Sequence, residues 1–488
     1  MTRDAALAMP ADEFRALGHA LVERIAITLE GLRDRPVMPD ATPAEVRALV
    51  GAANPLPRVG QDAAALLDEA MALLLERSPI TGHPRFHGYI ASSPAPIGML
   101  AELLAAALNA NVSLWRTAPV ASEIEAQTLR WLAELVGLPE GAGGLLTSGG
   151  NSANTVALLA ARHAAGDGAR AIYASRETHG WLAKAVRIAG LGDDAVRWIE
   201  TDERQRLHLD ALRARLDGDR AQGIAPLTVI ATAGTVSTGA VDPLRAMAAL
   251  CRERGLWLHV DGAYGAPAAC LLADATLRAW LGDAADDLAA LGEADSLALD
   301  PHKWLYAPLE AGGLLLREPQ RLRALFAQRP SYYAAPSQDD AEGIDFHELG
   351  PQNSRGFRAL KVWLILRMAG RDGIAQMIAD DIALAQRLHA AVCATPQLEA
   401  GPRGLSITTM RYRPADWRGS EDELDALNRA LLDALQRDGR AFLSPAVVDG
   451  RFWLRACVAN FRTEMRDVDA LPALIMAIGD DLMSHLPQ

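Results

Sequence analysis

The chain has 488 residues, half of them hydrophobic and 22% charged, with a mean hydropathy of +0.04. This is the balance of a globular protein rather than a disordered or fibrous one, with chain enough for about three domains. A formal net charge of −13 and a pI near 5.4 leave no basic footprint for nucleic acid or an anionic membrane surface, so neither is expected as a partner.

Residues 1–15 carry Asp4, Asp12 and Glu13 without a continuous apolar core, which argues against a secretory leader. The longest apolar stretch, 97–115, is interrupted by Glu102, Asn109 and Asn111 and falls short of a membrane span. Cys251, Cys270, Cys393 and Cys457 lie too far apart for a CxxC metal pattern and are too sparse for a disulfide scaffold, so the sequence predicts no metal site and a cytoplasmic protein.

Taken in order, residues 11–30 have helical apolar spacing, and Pro36 and Pro39 mark a turn-rich break. A helix over 42–50 opens with Thr42, Pro43 and Glu45 in capping-box spacing, and another covers 62–76. Residues 1–80 therefore read as an N-terminal helical arm. A helix over 122–138 is expected to start at Ser122, with Glu125 completing a capping box. From 81 to 370 short apolar runs at 171–175, 196–200, 227–233, 256–261, 296–300 and 313–317 alternate with amphipathic helices, which predicts a large α/β domain around a sheet with crossover helices. Residues 371–488 read as a smaller α+β domain: the end of a long helix, strands at 405–412 and 452–458, a helix over 421–437 and a last one from Val468.

Three stretches carry chemistry. Leu145-Leu146-Thr147-Ser148-Gly149-Gly150-Asn151-Ser152 leads into a helix, with Asn151 as the expected cap; its free N–H groups suit a phosphate, although a plain structural turn has the same pattern. It matches neither the P-loop nor the dinucleotide fingerprint. The strand at 256–261 ends in Asp261, either a helix cap or an acid at the ligand-binding edge of a sheet. The run 296–300 ends in Asp300-Pro301-His302-Lys303-Trp304.

Lysine is scarce: only Lys184, Lys303 and Lys361 occur among 48 basic residues. Arginine cannot replace lysine as a nucleophile, because its guanidinium stays protonated. Lys184 and Lys361 fall in amphipathic helical patterns and are expected on solvated faces, whereas Lys303 follows a buried strand, where desolvation makes an amine nucleophilic. A phosphate cradle, an acid and a Schiff-base lysine in this order are what pyridoxal 5'-phosphate (PLP) requires.

At these residues the chain resembles the PLP-dependent group II amino-acid decarboxylases, which include aromatic-amino-acid, glutamate and diaminobutyrate enzymes. The matching stretches are His83-Pro84-Arg85-Phe86, Trp131-Leu132, Gly149-Gly150, Thr178-His179, Gly234-Thr235, His259 to Tyr264, Pro301 to Trp304 and Arg358 to Trp363. The resemblance implies the fold-type I PLP-dependent transferase architecture, a large mixed-sheet domain between the helical arm and a small C-terminal α+β domain. It also implies decarboxylation of an L-amino acid to an amine and carbon dioxide, and a homodimer with sites at the interface.

By position the resemblance makes Lys303 the Schiff-base residue, Asp261 the partner of the pyridine nitrogen, and His179 and Ala263 the groups on the two faces of the ring. Gly150, Asn151, Ser152 and His302 fall to the phosphate, Thr235 to the ring substituents or Asp261, and Ser354 to the cofactor, from the neighbouring subunit across the interface. Tyr332, in the stretch 328–344, becomes the residue that supports proton transfer to the substrate's α-carbon; phenylalanine there would imply aldehyde formation instead. Ile90 and Ser113 stand where aromatic-amino-acid enzymes carry aromatics, which weighs against an aromatic substrate; Asn109, Asn111, Ala118 and Pro119 resemble the glutamate and diaminobutyrate branches more, and Arg85 or Arg116 is offered to an acidic substrate group. Asn151 and Asp300 depart from the serine and asparagine of many relatives at the phosphate end. The rivals are another PLP reaction (transamination, carbon-carbon cleavage or aldehyde synthesis) and a catalytically silent scaffold or binding protein.

Overall fold

A computed structural model describes residues 5–166, 168, 170–328 and 343–485. The N-terminal arm consists of α1 (Ala11–Glu30), α2 (Pro43–Leu49) and α3 (Ala63–Arg77), with the Thr42–Glu45 capping box formed as its sequence predicts. Two further helices, α4 (Pro96–Leu108) and α5 (Pro119–Leu135), lead to the main sheet.

The sheet is built from β1 (Gly143–Thr147), β2 (Ala171–Ser175), β3 (Val196–Ile199), β4 (Pro226–Thr232), β5 (Trp257–Asp261), β6 (Ser296–Leu299) and β7 (Gly312–Leu316). Its order is β1-β7-β6-β5-β4-β2-β3. β7 runs antiparallel to both neighbours, while the pairs among β2 to β6 are parallel. Crossovers include α6 (Gly150–Ala165), α7 (Trp181–Ile188), α8 (Leu209–Ala221) and α9 (Leu244–Arg254). Both faces are covered, so the parallel strands are continuous apolar runs rather than alternating ones; every residue of β2 and β6 is buried.

A long helix, Ala359–Cys393, contains one non-helical residue, Gly370 at φ 68°, ψ 171°. Its first part packs on α4 and α5, and its later part reaches a second, antiparallel sheet of order β10-β11-β9-β8. Those strands are β8 (Leu398–Gly404), β9 (Ile407–Tyr412), β10 (Ser444–Val448) and β11 (Arg451–Cys457), backed by helices Glu421–Asp438 and Leu471–Ser484. Segment 85–87 joins this unit through hydrogen bonds to Phe442 and a stacked Phe86–Phe442 pair 4.8 Å apart.

Two local expectations are corrected. The helix expected from Ser122 starts a turn earlier, with Pro119 in its first turn. Glu125 turns into the core, where it accepts the Leu146 N–H at 3.0 Å and pairs with Arg355. Lys361 is buried rather than solvated and meets Glu102 Oε1 at 2.5 Å, whereas Lys184 is exposed as expected. Among the described residues no helix is long and apolar enough to cross a membrane, and no cluster of metal-ligating side chains occurs.

Candidate active site

The carboxyl ends of parallel strands leave backbone groups and following loops on one side of a sheet, where α/β proteins bind ligands. Here a cavity of about 410 Å³ opens there, lined by loops that follow β1, β2, β4, β5 and β6. That is room for a small cofactor and part of a substrate.

The first wall is the start of α6. Its cap is Gly149, not Asn151, and the first intrahelical bond runs from Ala153 N–H to Gly149 O. The N–H groups of Gly150, Asn151 and Ser152 precede that bond at the positive end of the helix, an arrangement suited to an anion. Glycine is required for packing: a Cβ on Gly312 of β7 would stand 2.4 Å from Gly149 Cα, and one on Gly150 would stand 2.9 Å from Asp300 Oδ2 and 3.2 Å from Ala263 Cβ.

The second wall is the end of β5. Asp261 is buried, with Oδ2 accepting the Trp181 indole N–H at 2.7 Å and Oδ1 accepting the Ala263 N–H at 3.2 Å. Beneath it His259 is hydrogen-bonded to Ser296 Oγ at 2.9 Å and Asn154 Oδ1 at 2.8 Å. Burial pushes the His259 imidazole down to about 4, so it is neutral.

The third wall is the turn after β6. Lys303 Nζ lies 2.9 Å from Asp300 Oδ2 and His302 Nε2 lies 3.7 Å from the same oxygen. Asp300 Oδ1 is buried with no hydrogen-bond partner among the described residues. Trp304 Nε1 and Tyr306 Oη both donate to Asp381 Oδ2 of the long helix, at 2.9 and 2.7 Å, which pins the turn directly after Lys303. His302 is anchored through Nδ1 to Ala311 O at 2.7 Å, and desolvation holds it below the usual histidine range. His179, after β2, takes the Trp181 backbone N–H on Nδ1 at 3.1 Å; desolvation lowers its pKa against the pull of Asp261.

The structure thus brings Ile90, Gly150, Asn151, Ser152, His179, Asp261, Ala263, His302 and Lys303 to one cavity. Others it places elsewhere. Thr235 is buried in its own turn, facing Thr238 Oγ1 at 3.0 Å and accepting the Ala240 N–H at 3.1 Å, so Gly234 lines the cavity in its place. Arg85 donates to Arg33 O at 2.8 Å, and exposed Arg116 lies on the turn before α5; neither is among the lining residues. Ser113 is buried against Asn111 Oδ1 and Asn353 O, beside exposed Ser354, and both are outside the cavity. Tyr332 lies outside the described residues. Trp181, Val236 and Leu309 line the cavity without having been singled out in the sequence. Only Trp181 had a usable signal, an apolar residue two positions after His179 at a helix start.

A helix N-terminus for a phosphate, a buried acid for a ring nitrogen and a lysine for an aldehyde, set on this sheet, define a fold-type I PLP-dependent enzyme. Residues 53–400 match the family model described as the pyridoxal-dependent decarboxylase conserved domain, and the chain belongs to that family. It is 34% identical over 486 residues to an aromatic-L-amino-acid decarboxylase of Bacillus atrophaeus, covering 99% of this chain and 98% of that one. It is 33% identical over 442 residues to an L-2,4-diaminobutyrate decarboxylase of Rhizobium meliloti (strain 1021), covering 89% and 85%. The crystal structure of Oryza sativa TDC with PLP and tryptamine superposes with a TM-score of 0.89 at 28% identity, covering 99% of this chain and 100% of that one. The protein is a PLP-dependent enzyme that decarboxylates an L-amino acid.

Proposed function

We propose that the substrate is an L-amino acid with an apolar, aromatic side chain. The observation that carries this reading is the cavity's lining: Ile90, Val236 and Leu309 are apolar, and among the described residues no arginine lines it to meet an acidic side chain. The similarity to an aromatic-amino-acid enzyme over nearly the whole chain supports it.

In this reading the N–H groups of Gly150, Asn151 and Ser152 hold the phosphate, and Lys303 anchors the cofactor covalently. Bound there, PLP supplies an electron sink for the electrons left on the α-carbon as carbon dioxide departs. Asp261 keeps a proton at the ring nitrogen, His179 and Ala263 bracket the ring, and Tyr332 passes a proton to the α-carbon.

The working unit we propose is a cytoplasmic homodimer. None of α1 is buried, and it displays Phe14, Val22 and Ile27; α4 displays Leu100, Leu103, Leu104 and Leu108. Apolar faces of this extent are expected to be covered in solution. The 113 and 354 segments lie next to each other, through the hydrogen bond from Arg355 N–H to Asn111 Oδ1, and in the dimer they serve the neighbouring site. The four cysteines are unpaired, as in a reducing compartment.

The test is mass spectrometry of products from PLP-loaded protein and a panel of aromatic, acidic and diamino L-amino acids. Amine from an aromatic member is the expected result; amine from glutamate or diaminobutyrate alone overturns the substrate assignment. Sedimentation at micromolar concentration should give twice the mass of one chain.

A further inference from the structure

We propose that Trp181 is a positioning residue that acts through Asp261 on the cofactor's ring nitrogen, its indole N–H fixing the carboxylate and keeping the ring proton on nitrogen. The inference rests on the reading of Asp261 given above.

The geometry is specific. Trp181 is 1% exposed and is packed among Leu158, Ile172 and Ile230 of α6, β2 and β4, so its ring has one orientation. That orientation delivers Nε1 to Asp261 Oδ2 at 2.7 Å, while its backbone N–H holds His179 Nδ1. It stands edge-on to neutral His259, ring centroids 6.0 Å apart at 90°. Asp261 therefore accepts one protein hydrogen bond on each oxygen and cannot swing, and the remaining lone pairs are left to the cavity.

The donor's chemistry matters as much as its place. An indole N–H donates and never accepts, and it does not titrate in the accessible range. A hydroxyl or imidazole in the same spot could reverse its role. A fixed donor to the ionised carboxylate favours that form, so the proton shared with a ring nitrogen stays on the ring, where it strengthens the electron sink. Without the indole N–H the carboxylate competes better for that proton.

The experiment loads the protein with PLP carrying 15N in the ring and reads the 15N chemical shift, together with kcat and KM. Two variants are used: Trp181→Phe, and replacement of Trp181 by benzothienylalanine, which keeps the bicyclic shape but has sulfur in place of N–H. In both, the ring-nitrogen signal should move toward the deprotonated position and kcat should fall about tenfold or more, the scale of one hydrogen bond to a charged group, with KM less affected. Wild-type shift and kcat in the benzothienyl variant overturn the inference, including the case in which Trp181→Phe alone is impaired, since packing would then explain the residue. Asp261→Asn is the control that separates the two readings: an unmoved shift there overturns the role of Asp261 itself.

Discussion

Lys303 Nζ and Asp300 Oδ2 are 2.9 Å apart, an ion pair set against the start of α6, the end we propose for the phosphate. Asp300 is 2% exposed, and its second oxygen has no hydrogen-bond partner among the described residues. A buried carboxylate beside a phosphate site repels the phosphate; at about 5 Å and an effective dielectric near 20 the interaction is on the order of 3 kcal/mol. Asp300→Asn keeps the shape and removes the charge. The PLP dissociation constant should fall on the order of a hundredfold, read by quenching of tryptophan fluorescence, and an unchanged or higher constant would remove Asp300 from the phosphate site.

The scarcity of lysine makes the covalent assignment testable. Lys184 is exposed and Lys361 is buried against Glu102, so Lys303 alone among the three faces the cavity. Borohydride reduction of the PLP-loaded protein followed by peptide mass spectrometry should place the added pyridoxyl mass on Lys303 and on neither other lysine. Lys303→Ala combined with Asp300→Asn, so that no buried carboxylate is left without its cation, should abolish turnover while the protein stays folded by circular dichroism.

How much of this was legible beforehand follows from how each element is stabilised. All six apolar runs read as strands are strands, because a sheet covered on both faces buries nearly every position of its inner strands, edge strand β3 alone exposing Trp198. β8 was invisible, since its residues are mostly half-buried and include glycine and proline, and so was β10, which alternates around Pro445. The start of α5 was misread because Glu125 has a stronger partner in Arg355, distant in sequence, than in its own helix end. The same distance explains the site. Asp261 and Lys303 end or follow strands legible in the sequence, and Gly150 lies in a legible glycine turn after β1, a strand that was not read; the pairing of Trp181 with Asp261 spans 80 residues and no local pattern announces it. Thr235 shows the converse: its hydroxyl bonds within its own turn, a local contact that the sequence did not announce either.

Asp381 gives the protein a pH signature. Burial raises its carboxyl from 3.8 to about 7 despite the Tyr306 and Trp304 hydrogen bonds. The folded state therefore holds this proton more tightly than the unfolded chain does, and the stability involved is present below pH 4 and lost as pH rises through 7. Asparagine accepts the same two hydrogen bonds and has no proton to lose. Relative to wild type, Asp381→Asn should gain on the order of 3 kcal/mol in urea unfolding between pH 4 and pH 8, both proteins saturated with PLP. His83, His87 and His259, each pushed down to about 4 chiefly by burial, act in the opposite sense below pH 6.5 but are common to both proteins and cancel in the difference. A difference that does not change with pH would contradict the assignment.

Arg355 and Glu125 tie the segment after residue 343 to β1, the strand that leads into α6. Their side chains are 1% and 0% exposed; Arg355 also donates to Val112 O at 3.0 Å and to Leu146 O at 2.8 Å, while Glu125 takes the Leu146 N–H. Leu146 belongs to β1, three residues before Gly149, so the pair fixes the strand that aims α6. Arg355→Met fills the volume but leaves a buried carboxylate without a cation, which costs about 3–5 kcal/mol. The double variant Arg355→Met with Glu125→Gln removes the stranded charge, and it should recover more than half of that loss in urea unfolding. Recovery of stability without recovery of PLP affinity is the expected pattern, because the neutral pair no longer grips Leu146 from both sides. Equal loss in the single and double variants would show instead that packing, and not the buried charge, sets the cost at this point.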